Sequence, residues 1–69
     1  MRYSINYFSP FFTTDREGVN THYFSLFETA RDLLYALVQN GFEDAYLKDE
    51  EYQCSLHWDE KEREFYWDA

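Results

Sequence analysis

Apolar residues recur every three or four positions in one segment of this chain and every second position in three others. Phe27, Ala30, Leu33, Leu34, Leu37 and Val38 fall at helical spacing and make one apolar stripe. Ser25-Leu26-Phe27-Glu28 reads as a capping box, in which the Ser25 hydroxyl takes the amide of Glu28 and the Glu28 carboxylate reaches back to that of Ser25. Asn40-Gly41 supplies the stop, with Gly41 left-handed and Phe42 folding onto the last turn. Together these features predict a helix over residues 26–39.

Downstream, Ala45 and Leu47 oppose Asp44, Tyr46 and Lys48. Cys54, Leu56 and Trp58 oppose Gln53, Ser55 and His57, and Phe65 and Trp67 oppose Glu64, Tyr66 and Asp68. Period-two alternation with β-favouring aromatics predicts three half-buried strands. Their links, Asp49-Glu50-Glu51 and Asp59-Glu60-Lys61-Glu62, are short and polar, as in an antiparallel meander. Ahead of the helix, Tyr3 to Phe8 predicts a strand broken by Ser9-Pro10. Residues 11–14 and 19–24 predict a hairpin around Asp15-Arg16-Glu17-Gly18, with Gly18 taking the positive φ. The order is β-(β)β-α-β-β-β: an α+β domain with a single helix packed on a small antiparallel sheet. Phe27, Leu34, Leu37, Leu47, Leu56 and Phe65 are its expected core.

At 69 residues the chain is one domain with a thin core. A mean hydropathy of −0.74 would fit a disordered segment, but seven Phe, seven Tyr and two Trp would not. Each aromatic buries about 150–250 Å², so a few of them substitute for many aliphatic residues. The first six residues hold no apolar core of a secretory signal, and no run reaches the length of a membrane span. A cytoplasmic, reducing setting is therefore expected.

Charge then divides the chain. Residues 1–42 carry four acids against three bases, whereas residues 43–69 carry ten acids against Lys48, Lys61 and Arg63. Nearly all of the net charge of −8 thus lies in the last segment, beside Trp58 and Trp67. Such a chain is repelled by nucleic acid and by anionic lipid, so direct contact with either is not expected. The lone Cys54 excludes an internal disulfide and a cysteine-based zinc site, and its alternating position reads as a small buried hydrophobe. His22 and His57 lack the short pairing of zinc ligands, and Cys54 and His57, three apart on one strand, face opposite ways. Neither glycine sits in a phosphate loop, and no calcium-loop pattern is present. Catalysis, metal and cofactor are not expected.

The acids remain as a group. Asp44, Asp49, Glu50, Glu51, Asp59, Glu60, Glu62 and Glu64 lie on the turns and outer face of the predicted meander, with Tyr46 and Tyr66 among them. Tyrosines beside carboxylates grip basic protein surfaces by adding buried area and by stacking on Arg. These ten residues form the candidate partner-binding surface.

Asp49-Glu50-Glu51-Tyr52 and the run from Trp58 to Trp67 give the chain a profile that resembles the small acidic inhibitors of phages and mobile elements, the anti-CRISPR and anti-restriction DNA mimics. The resemblance lies in overall character and transfers no residue's role. It implies a protein, in the cytoplasm of a bacterial host, that blocks a nuclease or its DNA-recognition subunit by occupying a basic surface, without chemistry; a monomer or small homo-oligomer is expected. The alternative is an antitoxin or small interaction subunit that binds through a hydrophobic aromatic face including Phe8, Phe11 and Phe12.

Overall fold

The helix forms where the apolar stripe lies, over Phe27–Gln39 (α1), in a computed structural model that describes residues 1–9 and 19–69. Ala30, Leu34 and Val38 are its buried positions, one above another at a spacing of four. Its stop is the one expected. Gly41 adopts φ +96°, the Phe42 amide donates to the Leu37 carbonyl at 3.0 Å, and the Gly41 amide donates to that of Val38 at 3.3 Å. This pair of bonds is a Schellman cap, which a left-handed glycine makes possible. The start differs from expectation. Leu26, not Ser25, is the N-cap residue, with extended backbone and no side-chain bond, and the Ala30 amide donates to its carbonyl at 3.2 Å. Entry one residue later puts Ser25 out of reach of the first free amides, so the capping box does not form.

Five strands complete the fold: β1 (Tyr3–Phe8), β2 (Val19–Phe24), β3 (Tyr46–Asp49), β4 (Cys54–Asp59) and β5 (Glu64–Asp68). They form one antiparallel sheet in the order β2-β1-β3-β4-β5. The meander of β3, β4 and β5 is as predicted. β2 pairs with β1, a pairing the strand patterns do not address, Tyr3 opposite Phe24 and Phe8 opposite Val19. The expected strand at 11–14, the break at Pro10 and the turn ending at Gly18 lie outside the described residues. Pairing with β1 follows from matched length, since both strands run six residues in full register.

One row of side chains crosses the sheet under the helix: Leu47 stands between Ile5 and Leu56, its neighbours on the adjacent strands, and all three are buried. With Tyr3, Ala45 and the three helical residues they make up the core. Phe27, Leu37 and Phe65, expected inside, are only half-buried and pack against its rim. The helix lies over β1, β2 and β3. Over β4 and β5 the inner face is covered by rings instead. Tyr35 meets Trp58 edge-to-face at 5.6 Å, Trp58 meets Phe65 at 5.0 Å, and Trp67 stacks on Phe27 at 5.9 Å. Edge-to-face pairs of this kind add about 0.5–1.5 kcal/mol each beyond their buried area. Their cover of the inner face leaves the opposite face of the meander open.

Candidate partner-binding surface

Alternation along β3, β4 and β5 sends Tyr46, His57 and Tyr66 to the face away from the helix, and the register sets them side by side. Tyr46 stacks on His57 at 5.5 Å with 26° between planes, and His57 stacks on Tyr66 at 5.6 Å with 24°. Three rings therefore form a ladder across three strands. The same row continues onto β1 as Asn6, which accepts a bond from Thr21 of β2 at 2.8 Å. Strand alternation alone places His57 outward; its place as the middle rung depends on cross-strand register, which one strand's pattern does not carry. His22 lies across the sheet beside Tyr7, and the two histidines share no site. Among the described residues no cluster of His, Cys, Asp or Glu could hold a metal ion. Nor is any helix among the described residues long and apolar enough to cross a membrane.

The carboxylates divide by the end of the sheet on which they lie. In the turn after β3 all three acids are paired, with two bases between them. Arg2 donates from Nε to Asp49 Oδ1 at 3.1 Å and from Nη2 to Oδ2 at 3.0 Å, while Glu51 lies 3.1 Å from the same Nε. The guanidinium also sits over the rings of Tyr3 and Tyr52. Lys48 lies 3.7 Å from Glu50, which accepts a bond from Ser4 at 3.3 Å. Asp49 is thus no part of an exposed binding surface. It is 4% exposed, on the helix face, and its Oδ1 also takes the amides of Glu51 and Tyr52. The physical reason is parity: Ala45, Leu47 and Asp49 fall on one side of β3, so the turn begins with an inward carboxylate.

At the other end the acids are less constrained. Asp44, at the entry to β3, accepts the Phe8 amide at 3.0 Å. Asp59 and Glu64 stand directly opposite each other on β4 and β5, a like-charge pair that costs stability. Asp59 also takes the amides of Lys61 and Glu62 at 3.0 and 3.3 Å, shaping the turn. Glu60 is held by Trp58 Nε1 at 2.7 Å and Arg63 at 3.1 Å. Among the described residues, Glu43, Asp44, Asp59, Glu62 and Glu64 have no ion pair. The register brings Phe8, the start of β3, the end of β4 and the start of β5 to one end of the sheet. The C-terminus of α1 closes on the same end through Phe42 and Ala45, with no basic residue in its last turn. Its macrodipole adds about half a negative charge there. Acids and dipole reinforce one another.

Arg2 holds the Asp49 carboxyl below the usual carboxylate range, helped by the two turn amides against the opposing effect of burial. A group whose pKa is lower folded than unfolded stabilises the fold above its unfolded pKa of about 3.9, and that contribution disappears as pH falls through the folded value. Asp49→Asn is accordingly expected to cost about 1–3 kcal/mol at pH 7, with the gap to wild type closing below about pH 4. Urea unfolding of both proteins across that pH range measures the gap directly and cancels the relief of acid–acid repulsion common to the two.

Of the alternative hydrophobic face, Phe8 is half-exposed at the acidic end, while Phe11 and Phe12 lie outside the described residues. Cys54 is half-buried on the inner face with a free thiol. No family model, curated protein or solved structure matches the chain.

Proposed function

We propose that this protein is a binding inhibitor that occupies the basic nucleic-acid-binding surface of a nuclease or CRISPR effector subunit, in the manner of anti-CRISPR and anti-restriction DNA mimics. The observation that carries the reading is the gathering of Glu43, Asp44, Asp59, Glu62 and Glu64, none of them ion-paired among the described residues, at one end of a sheet whose open face bears the Tyr46–His57–Tyr66 ladder. Duplex DNA presents one negative charge per about 1.7 Å of axis. Strands about 4.8 Å apart with acids at their ends give a patch of comparable density. Asp59 shapes its turn, but Glu64 opposite it adds a like-charge cost and its carboxylate makes no bond among the described residues; such local conflicts mark sites kept for function.

Inhibition would proceed without chemistry. Long-range attraction steers the encounter, and the rings supply buried area once the surfaces meet. Purified restriction and CRISPR nucleases, assayed for DNA cleavage with and without the protein, provide the test. A susceptible enzyme is expected to lose cleavage, to release the protein when duplex DNA is added in excess, and to bind it more weakly from about 50 to 500 mM salt, as the screening length falls from about 14 to 4 Å. Simultaneous, salt-insensitive binding of protein and DNA to one target would exclude the decoy.

A further inference from the structure

A cavity of about 140 Å³ opens at the acidic end of the sheet, lined by Asn6, Tyr7, Phe8, Val19, Asp44 and Tyr46. Three of its six lining residues, Tyr7, Phe8 and Tyr46, are aromatic, and its charged group is one carboxylate. Asp44 uses Oδ2 for the Phe8 amide at 3.0 Å, and its Oδ1 has no bond among the described residues. Tyr46 gives one ring face to His57; the register turns the other toward Asn6 on β1, the side on which the cavity lies. Asn6 is fixed by bonds to Thr21 at 2.8 Å and Ser4 at 3.3 Å. An aromatic wall, a carboxylate with a spare oxygen and surrounding negative charge are complementary to a flat cation that both stacks and donates. Guanidinium meets all three requirements, whereas ammonium is a compact, strongly hydrated charge that does not stack.

We propose that this cavity is an arginine-binding pocket, which takes one arginine side chain of the basic partner between the Tyr46 ring and the Asp44 carboxylate. The inference rests on the function proposed above and sharpens it, since an arginine seated in a pocket is the usual form of an energetic anchor at an interface. It also gives the ladder a purpose: His57 and Tyr66 brace the Tyr46 ring from behind, so the ring that receives the cation is already ordered.

Titration of the isotopically labelled protein with N-acetyl-arginine methylamide, followed by backbone amide shifts, tests the pocket. Saturable shifts are expected at Asn6, Phe8, Asp44 and Tyr46, with none from the citrulline analogue, which has the same shape without the charge, and weaker ones from the lysine analogue. Asp44→Asn keeps an acceptor for the Phe8 amide and is expected to weaken arginine binding about tenfold, the loss of one charged hydrogen bond. If that variant loses its dispersed spectrum, Tyr46→Val serves for the same comparison. Shifts spread evenly over all the acidic residues, or equal responses to arginine and lysine, would overturn the pocket. The two proposals fail separately: salt-sensitive nuclease inhibition that survives Asp44→Asn removes the pocket alone, and localised arginine binding without inhibition of any nuclease removes the decoy alone.

Discussion

Leu34→Ala is expected to lower the unfolding free energy by about 2–5 kcal/mol and to leave much of the protein unfolded at 25 °C. A chain of this length has about 3–10 kcal/mol of stability in total. Leu34 is fully buried, with Ala30 and Val38 above and below it on the helix, over the Ile5–Leu47–Leu56 row of the sheet. The small Ala30 already brings helix and sheet close, so little can collapse into the space that truncation leaves. Urea unfolding followed by the fluorescence of Trp58 and Trp67 gives the number. Leu26, 68% exposed, supplies the contrast: its replacement by alanine is expected to change stability by no more than about 0.5 kcal/mol.

The second large effect is on association. Reversing Glu43, Glu62 and Glu64 to lysine together changes the charge at the acidic end by six units and leaves the fold intact, since all three are exposed and none is ion-paired among the described residues. Association with a susceptible nuclease is expected to slow by about 10- to 1,000-fold at low salt, with loss of inhibition. Stopped-flow or surface-capture kinetics over a salt series measures it. Reversing Glu28 and Asp32 on the helix, or Glu50 beside Lys48, is expected to matter much less. Asp49→Lys belongs to a different class: it puts a cation against Arg2 in a buried position and unfolds the protein before binding can be measured. Equal effects from all these reversals in folded protein would mean that net charge alone acts, and that the acidic end is not special.

How far the pattern of residues foretold this arrangement depended on how local each determinant was. The helix stop at Asn40-Gly41-Phe42 and the inward faces of β3, β4 and β5 were legible because each is set within a few residues by φ or by parity. The pairing of β2 with β1 was not, because a strand's own alternation carries no address for its partner. Ser25 misled because a capping box shows which residues could cap, whereas the packing of Phe27 and Ala30 on the sheet decides where the chain enters the helix. Asp49 was the clearest oversight. Continuing the Ala45, Leu47 alternation by one step puts it inside, yet its charge invited an outward reading. The partner that makes burial tolerable, Arg2, lies 47 residues away in sequence. The candidate surface was visible as composition, but the ring ladder and the gathering of acids at one end exist only once strands are in register.

The two turns of the meander are built alike. Each opens on an aspartate whose Oδ1 takes the amides two and three residues on, Asp49 from Glu51 and Tyr52, Asp59 from Lys61 and Glu62. Each closes on a residue of positive φ, Gln53 at 54° and Arg63 at 55°. Backbone shape is therefore set by the first and last positions; between them in the second turn Glu60 is held by Trp58 and Arg63, whereas the Lys61 and Glu62 side chains make no bond among the described residues. Under the proposed function, a lineage that tracks a changing target could rewrite Lys61 and Glu62 in single steps without refolding the hairpin that presents them. Glycine or asparagine at 53 and 63 would relax the left-handed strain at the same time. In such a design the scaffold and the recognition sequence can evolve at different rates, with the aspartates marking the boundary between them.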